Sequence, residues 1–266
     1  MTPLERAVTV AMWTITAMVV LFLLAPLVVV IAVSFSASPV FNLPPPSWSV
    51  RWYERLWRLR DFWPAVRTSL EIAALSTAIS LVLGTLCAIA VERGRFPGRD
   101  ALVTFAVSPL MMPGLVVGVA MLQMLRQIGF RDAWTGLLIG HIVITLPYVM
   151  RTVLASLSLF DFALIDAART LGCSYPRALL KVMVPVLAPA FLTSGLFAFL
   201  ASMDNYPISI FLTDARTKTL PVQILTYLEE TPDPTIAAIS TGLIVMTIVV
   251  LLVADRLVGL RRIAEL

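Results

Sequence analysis

The sequence predicts an all-α integral membrane protein with six transmembrane helices, and two observations carry that expectation. Apolar residues fill 59% of the 266 positions and charged ones only 14%, against about 25% charged in ordinary soluble domains. Six apolar runs, at roughly 7–34, 68–91, 101–125, 134–154, 186–212 and 235–257, are each long enough for the ~30 Å hydrocarbon core, which takes about 20 helical residues. Backbone in lipid must be satisfied internally, and runs of this length do that as helices. A single membrane domain over 1–266 is the expected organisation.

The first run follows Arg6 and is about 28 residues long. The apolar core of a cleaved signal peptide is only ~7–15 residues, so this run reads as a retained span. "SPVFNLPPPSWS" is then a semi-rigid, proline-rich connector. In "SWSVRWYERLWRLRDFW" Trp, Tyr and Leu alternate with Arg at helical spacing, the pattern of an amphipathic helix lying at the interface. The second span ends in the basic turn "VERGRFPGRD", broken by Gly94, Pro97 and Gly98. The third contains Pro109, Pro113, Gly114 and Gly118, which predict a bent helix in close contact with its neighbours. Such a bend serves a carrier or simply a packed bundle.

The fourth span holds His141, the chain's one histidine. Alone it builds no metal site, and a hydrogen-bonded interior histidine is expected. The fifth run contains "SMDNYP", with Asp204 about two thirds of the way along. A carboxylate inside a span is costly and faces a cavity or partner by default. Alternatively Pro207 ends the helix and Asp204 is a wet helix end. The outer loop "TDARTKTLPVQILTYLEETPDP" holds a short amphipathic piece, and "DRLVGLRRIAEL" makes a basic tail.

With both termini inside, the inner segments hold eleven Lys/Arg and the outer ones nine. Five of those nine (Arg51, Arg55, Arg58, Arg60, Arg67) lie in or just after the interfacial helix; without them the count is eleven to four. The positive-inside rule then favours a cytoplasmic N-terminus and C-terminus. Cys87 and Cys173 face no oxidising compartment on that topology, so no disulfide is expected. Enzyme chemistry finds no footing: there is no zinc spacing, no GxSxG elbow and no Cys/His pair. The two lysines, Lys181 and Lys218, stand after Leu and Thr, so no GxxxxGK[ST] phosphate loop exists.

The segment "DAARTLGCSYPRALLKVMVP", Asp166–Pro185, breaks the greasy pattern. As a short helix over Asp161–Leu171 it places Leu164, Ile165, Ala168 and Leu171 on one face. Gly172 stands where a helix C-terminus favours a left-handed residue. Ser174 is positioned to cap the next helix, with Pro176 in its first turn. The expected product is a two-helix elbow over 161–185 whose apolar ridge fits a groove on another protein.

This segment resembles the signature of permease subunits of binding-protein-dependent type I ABC importers. Asp166-Ala167-Ala168 stands for the EAA triplet, Gly172 follows after three residues, and Val182, Val184 and Pro185 follow nine later. His141, Leu146–Tyr148, Arg151 and Asp161 match the upstream context. The resemblance implies that the elbow is a coupling helix seated in an ATP-binding subunit. Asp166, Ala167, Ala168 and Gly172 would couple, and Pro185 would return the chain to the fifth span. It also implies two ATP-binding subunits carrying the ATP and Mg, a second permease (a paralogue is favoured), a solute-binding protein, lipid contact and a bacterial inner-membrane location. No cofactor is expected on this chain, and no nucleic acid among its partners.

Ser202, Asp204, Thr219-Leu220-Pro221 and Asp233-Pro234 are similar to the spermidine/putrescine branch. An ammonium crossing a membrane wants a carboxylate and an aromatic face, which Asp204 and Tyr206 offer. The alternatives are an opine, amino-acid-like, phosphonate or ferric-ion substrate for the same machine, or a self-sufficient secondary carrier.

Overall fold

The computed structural model describes residues 2–258. The expected tail arginines Arg261 and Arg262 lie outside them. Among the described residues the regular structure is helical, apart from one isolated antiparallel bridge between Ser36 and Trp48. Four of the described helices are long and apolar enough to span a membrane, and two bent helix pairs bring the number to six when each pair counts as one crossing. The chain divides into two compact units. Among the described residues, one comprises 2–60 with Ile224–Leu251, the other Asp61–Gln223 with 252–258.

In the first unit, α1 (Pro3–Ser34) opens on a capping box: Thr2 and Glu5 each bond the other's backbone N–H. Its apolar residues are exposed along most of its length, as a lipid-facing helix requires. The amphipathic stretch forms α2 (Arg51–Arg58). Trp52 is buried and its indole N–H donates to the Ser36 carbonyl at 2.6 Å, while the Tyr53 hydroxyl meets Ser34 Oγ at 2.8 Å. One face of α2 is thereby fixed, Arg51 donates to the Ala37 carbonyl at 3.0 Å, and Arg58 is exposed.

Asp233 is the hub of this unit's other polar cluster. It accepts from the Thr235 backbone N–H at 2.9 Å, pairs with Arg55 at 2.9 Å and receives the Tyr227 hydroxyl at 3.3 Å. Burial, followed by the nearby Asp233 charge, pushes the Tyr227 phenol up.

The second unit is built on α3 (Phe62–Arg93), α6 (Ala133–Leu157) and α10 (Ala188–Met203), packed on one another. Small polar residues lie between them: Ser80 and Thr145 share a hydrogen bond of 2.7 Å, and Ser76 donates to Ser202 at 3.3 Å. At Gly84 an added Cβ would stand 2.9 Å from Val149, so α3 and α6 touch nearly backbone to backbone. Close approach and shared hydroxyls are what hold helices together where apolar surface has no water to escape.

The expected third span is broken. α4 (Arg99–Val107) runs into a 3₁₀ turn over Ser108–Met111, Met112 is extended, and α5 (Gly114–Gln127) leaves at 110°. Pro109 and Pro113 lack the N–H a continuous helix would need, which places the break between them. The expected fifth span, 186–212, is also interrupted. Ahead of it come α7 (Ala163–Thr170), α8 (Tyr175–Ala178), a π turn over Leu179–Met183 and α9 (Val184–Val186). After α10 the chain unwinds before α11 (Ser209–Leu212). α12 (Leu220–Glu230) and α13 (Thr235–Val258) complete the described residues.

Candidate functional site

Two places in the second unit carry more chemistry than packing requires: the elbow after α6, and the unwound stretch after α10.

The elbow starts from a folded-back turn. Phe160 and Phe162 meet edge to face at 5.1 Å, Arg93 stacks over Phe162 at 4.6 Å, and the Asp161 carboxylate accepts the Ala163 N–H at 2.9 Å. α7 then ends in a complete Schellman motif. Cys173 N–H bonds Ala168 C=O at 3.1 Å, Gly172 N–H bonds Arg169 C=O at 3.0 Å, and Gly172 takes φ +85°. Ser174 is extended at the start of α8 and Pro176 lies in the first turn, as expected, but the Ser174 side chain makes no capping bond. Pro185 is exposed in α9, two residues before a 75° bend at Leu187. Its ring leaves no room for the Lys181 carbonyl to close an ordinary turn, which accounts for the π turn just before it.

The expected apolar ridge is split. Ile165 is fully buried and Ala168 packs on the same core, together with Val153, Leu157 and Met183. Leu164 and Leu171 point out, 47% and 87% exposed. Four apolar residues cannot both anchor a two-turn helix to its own domain and be presented to another. The inner pair anchors; the outward strip is Leu164, Ala167 and Leu171, at i, i+3 and i+7. Asp166 and Arg169 are exposed beside it, 3.9 Å apart, a pair that adds little stability.

After α10, Asp204 ends the helix with its N–H on Leu200 C=O at 3.1 Å. The Pro207 ring excludes the carbonyl four residues back, so the helix cannot continue. Side chains take over the freed backbone: Asn205 Oδ1 accepts the Ile208 N–H at 3.1 Å, and the Ser209 hydroxyl donates to the Asn205 carbonyl. Non-helical backbone at membrane depth is tolerated where it is satisfied in this way. Asp204 is exposed and Tyr206, two residues on, is half-buried. A carboxylate at a helix C-terminus meets the negative end of the macrodipole, so Asp204 does not stabilise α10.

This unwound stretch packs against the other broken span. An added Cβ at Gly114 would stand 2.9 Å from Pro207, and one at Gly118 would stand 2.7 Å from the Phe211 ring and 2.9 Å from the Pro207 carbonyl oxygen. At Gly140 on α6 an added Cβ would stand 2.6 Å from the Leu212 side chain and 3.1 Å from that of Ile208. His141, next to Gly140, is buried with Nδ1 2.7 Å from Ser202 Oγ and Nε2 3.0 Å from Ser209 Oγ. Because Ser209 gives its proton to Asn205, it accepts from His141; the ring therefore carries its proton on Nε2, and Nδ1 accepts from Ser202. Ser202 and Ser209 escaped the sequence reading as a pair. The available signal was two serines seven residues apart, two helical turns on one face, astride a proline in an apolar run.

Residues 80–261 match the family model of the binding-protein-dependent transport system inner membrane component. The chain belongs to that family. It is a multi-pass inner-membrane subunit of an importer served by a binding protein, and the family is not itself catalytic. Among its relatives, the spermidine/putrescine transport system permease protein PotC of Haemophilus influenzae is 28% identical over 88% of this chain and 91% of that protein. The putrescine transport system permease protein PotI of Escherichia coli is 29% identical over 83% and 80%. The trehalose transport system permease protein SugB of Mycobacterium tuberculosis is 31% identical over 74% and 72%. Among solved structures, a bacterial ABC transporter importing the acidic polysaccharide alginate has a chain sharing this fold. Its TM-score is 0.72 with 19% identity, over 97% of this chain and 98% of that one.

Proposed function

We propose that this importer permease is a single membrane domain that forms half of a translocation pathway for a polyamine or related organic amine. The observation that carries the machine is the elbow: a Schellman-capped helix with an outward apolar strip, anchored by Ile165 to the end of α6. Asp166, Ala167 and Gly172 couple it to an ATP-binding subunit from the outward side, Ala168 serves the coupling from within by packing with Ile165 on the core, and Pro185 shapes the return into the fifth span. Two such subunits bind and hydrolyse ATP with Mg; a second permease, a paralogue of this chain, completes the pathway. The elbow and both termini lie in the cytoplasm. The amine assignment draws on the names of PotC and PotI and on the exposed Asp204 beside Tyr206, a carboxylate and an aromatic face for an ammonium group.

The test is the ATPase rate of the complex assembled with the products of neighbouring genes and reconstituted in lipid. Its binding protein is loaded in turn with putrescine, spermidine, trehalose and a ferric chelate. Stimulation by an amine-loaded binding protein alone is the expected result. The trehalose relative supplies the competing reading, and stimulation only by a sugar would discard the amine while leaving the coupling elbow intact.

A further inference from the structure

The geometry points to His141 as the pin that ties the unwound part of the fifth span to α6, the helix that leads into the coupling elbow. Both ring nitrogens are used, one on each side of the break: Nδ1 on Ser202 before it and Nε2 on Ser209 after it. Between those serines lie Asp204, Pro207 and a backbone with no helical ladder of its own. The ring sets the distance between the two helical ends, and so the position in which Asp204 and Tyr206 are held. Ser76 on α3 extends the network by donating to Ser202, and the His141 carbonyl accepts from Thr145, which pairs with Ser80. A buried polar network whose members all have partners has one low-energy arrangement, and losing one member leaves the others unsatisfied.

The mechanical consequence follows from connectivity. Sixteen residues of α6 separate His141 from Leu157, about 24 Å at 1.5 Å per residue; the helix is continuous through Pro147, whose missing N–H costs it one ladder bond, and the elbow follows directly. From its far side the chain runs through α8, the π turn and α9 into α10. The elbow therefore reaches the break by two routes, the covalent one through α10 and the lateral one through α6. On the lateral route the packing of α10 and the approach of Gly140 to Leu212 and Ile208 are joined by the His141 hydrogen bonds that hold both ends of the break. With only the first, a shift of the elbow is absorbed at the 75° bend before α10 and at the π turn. With the second, α6 carries both ends of the break along. His141 is thus a positioning residue: it touches no substrate, and it makes movement of the elbow a movement of Asp204 and Tyr206.

This inference rests on the importer reading, and the experiment separates the two. A connecting role of this kind requires demonstrated coupling and not position alone. The full complex with its binding protein is reconstituted in proteoliposomes carrying wild type, His141→Phe, His141→Gln or Ser202→Ala, with Ser69→Ala as a comparison. Subunit co-purification, ATP hydrolysis and solute taken up per ATP are read together. His141→Phe should assemble, keep ATP hydrolysis within about twofold, and lose at least tenfold in solute per ATP. Glutamine offers an NH₂ to donate to Ser209 and a carbonyl to accept from Ser202, so His141→Gln should recover much of that loss. Ser202→Ala, a smaller change that avoids a misfolded His141→Phe deciding the matter, should lose part of it, and Ser69→Ala should keep wild-type stoichiometry. Wild-type stoichiometry in His141→Phe or Ser202→Ala overturns the inference alone, as does a His141→Gln no better than His141→Phe in an assembled complex. Absence of binding-protein-dependent uptake by the wild type overturns the importer reading and this inference with it.

Discussion

Gly172 offers the sharpest test of the coupling elbow because its environment isolates one physical effect. It sits at φ +85°, and an added Cβ would meet no atom within 4 Å. Replacement by alanine therefore costs only the backbone strain of a left-handed L-residue, about 1–2 kcal/mol. If an ATP-binding subunit holds the elbow in this shape, that strain weakens the association by roughly 5- to 30-fold. Asparagine tolerates the left-handed region and should cost less. Arginine adds a large charged side chain at the exposed tip and should uncouple fully while the chain still inserts.

The same fold contains the control. Gly129 ends α5 in the same motif, with Phe130 N–H on Leu125 C=O at 2.8 Å, φ +78° and open space around it. It lies at the opposite end of α6, about 37 Å of helix away. Co-purification of the ATP-binding subunits and binding-protein-stimulated ATP hydrolysis are measured for both alanine variants. The expected order of loss is Gly172→Arg, Gly172→Ala, Gly172→Asn, with Gly129→Ala close to wild type. Equal losses at the two glycines, or normal transport by Gly172→Arg, would refute the assignment.

Gly118→Ala should destabilise by about 1–3 kcal/mol, because its Cβ meets the backbone of Pro207 and Ile208. Gly140→Ala should cost less, because its nearest neighbour is the movable end of Leu212. Thermal midpoints in detergent check the order. Asp204→Asn removes charge at nearly constant shape and should slow uptake of an amine while leaving binding-protein docking unchanged; unaltered uptake kinetics would make Asp204 a wet helix end. Asp132 caps α6, and the side chain and backbone N–H of Thr135 hold its carboxyl below the usual range. A depressed folded value stabilises fully above the unfolded carboxylate value, about 3.9, and the effect is lost as pH falls through the folded value. The midpoint difference between wild type and Asp132→Ala should then be flat above about pH 5 and shrink below about pH 4.

What the sequence determined by itself is local. Hydropathy over about 20 residues places the membrane-crossing segments. The elbow was legible because its punctuation is written in adjacent residues: Gly172 for the left-handed cap, Pro176 for the next first turn. The bend at Pro113 and Gly114 belongs to the same class, since a missing N–H acts within one turn. Tertiary structure decided everything that depends on which distant surface a residue meets. The ridge on α7 divided because Ile165 and Ala168 face the end of α6. His141 found Ser202 and Ser209, 61 and 68 positions away. The two broken spans met at Gly114 and Pro207. Helical spacing says which residues share a face; it does not say what that face will touch. In a bundle held by small residues and shared hydroxyls, where water drives little of the association, hydrophobicity carries little information about that choice.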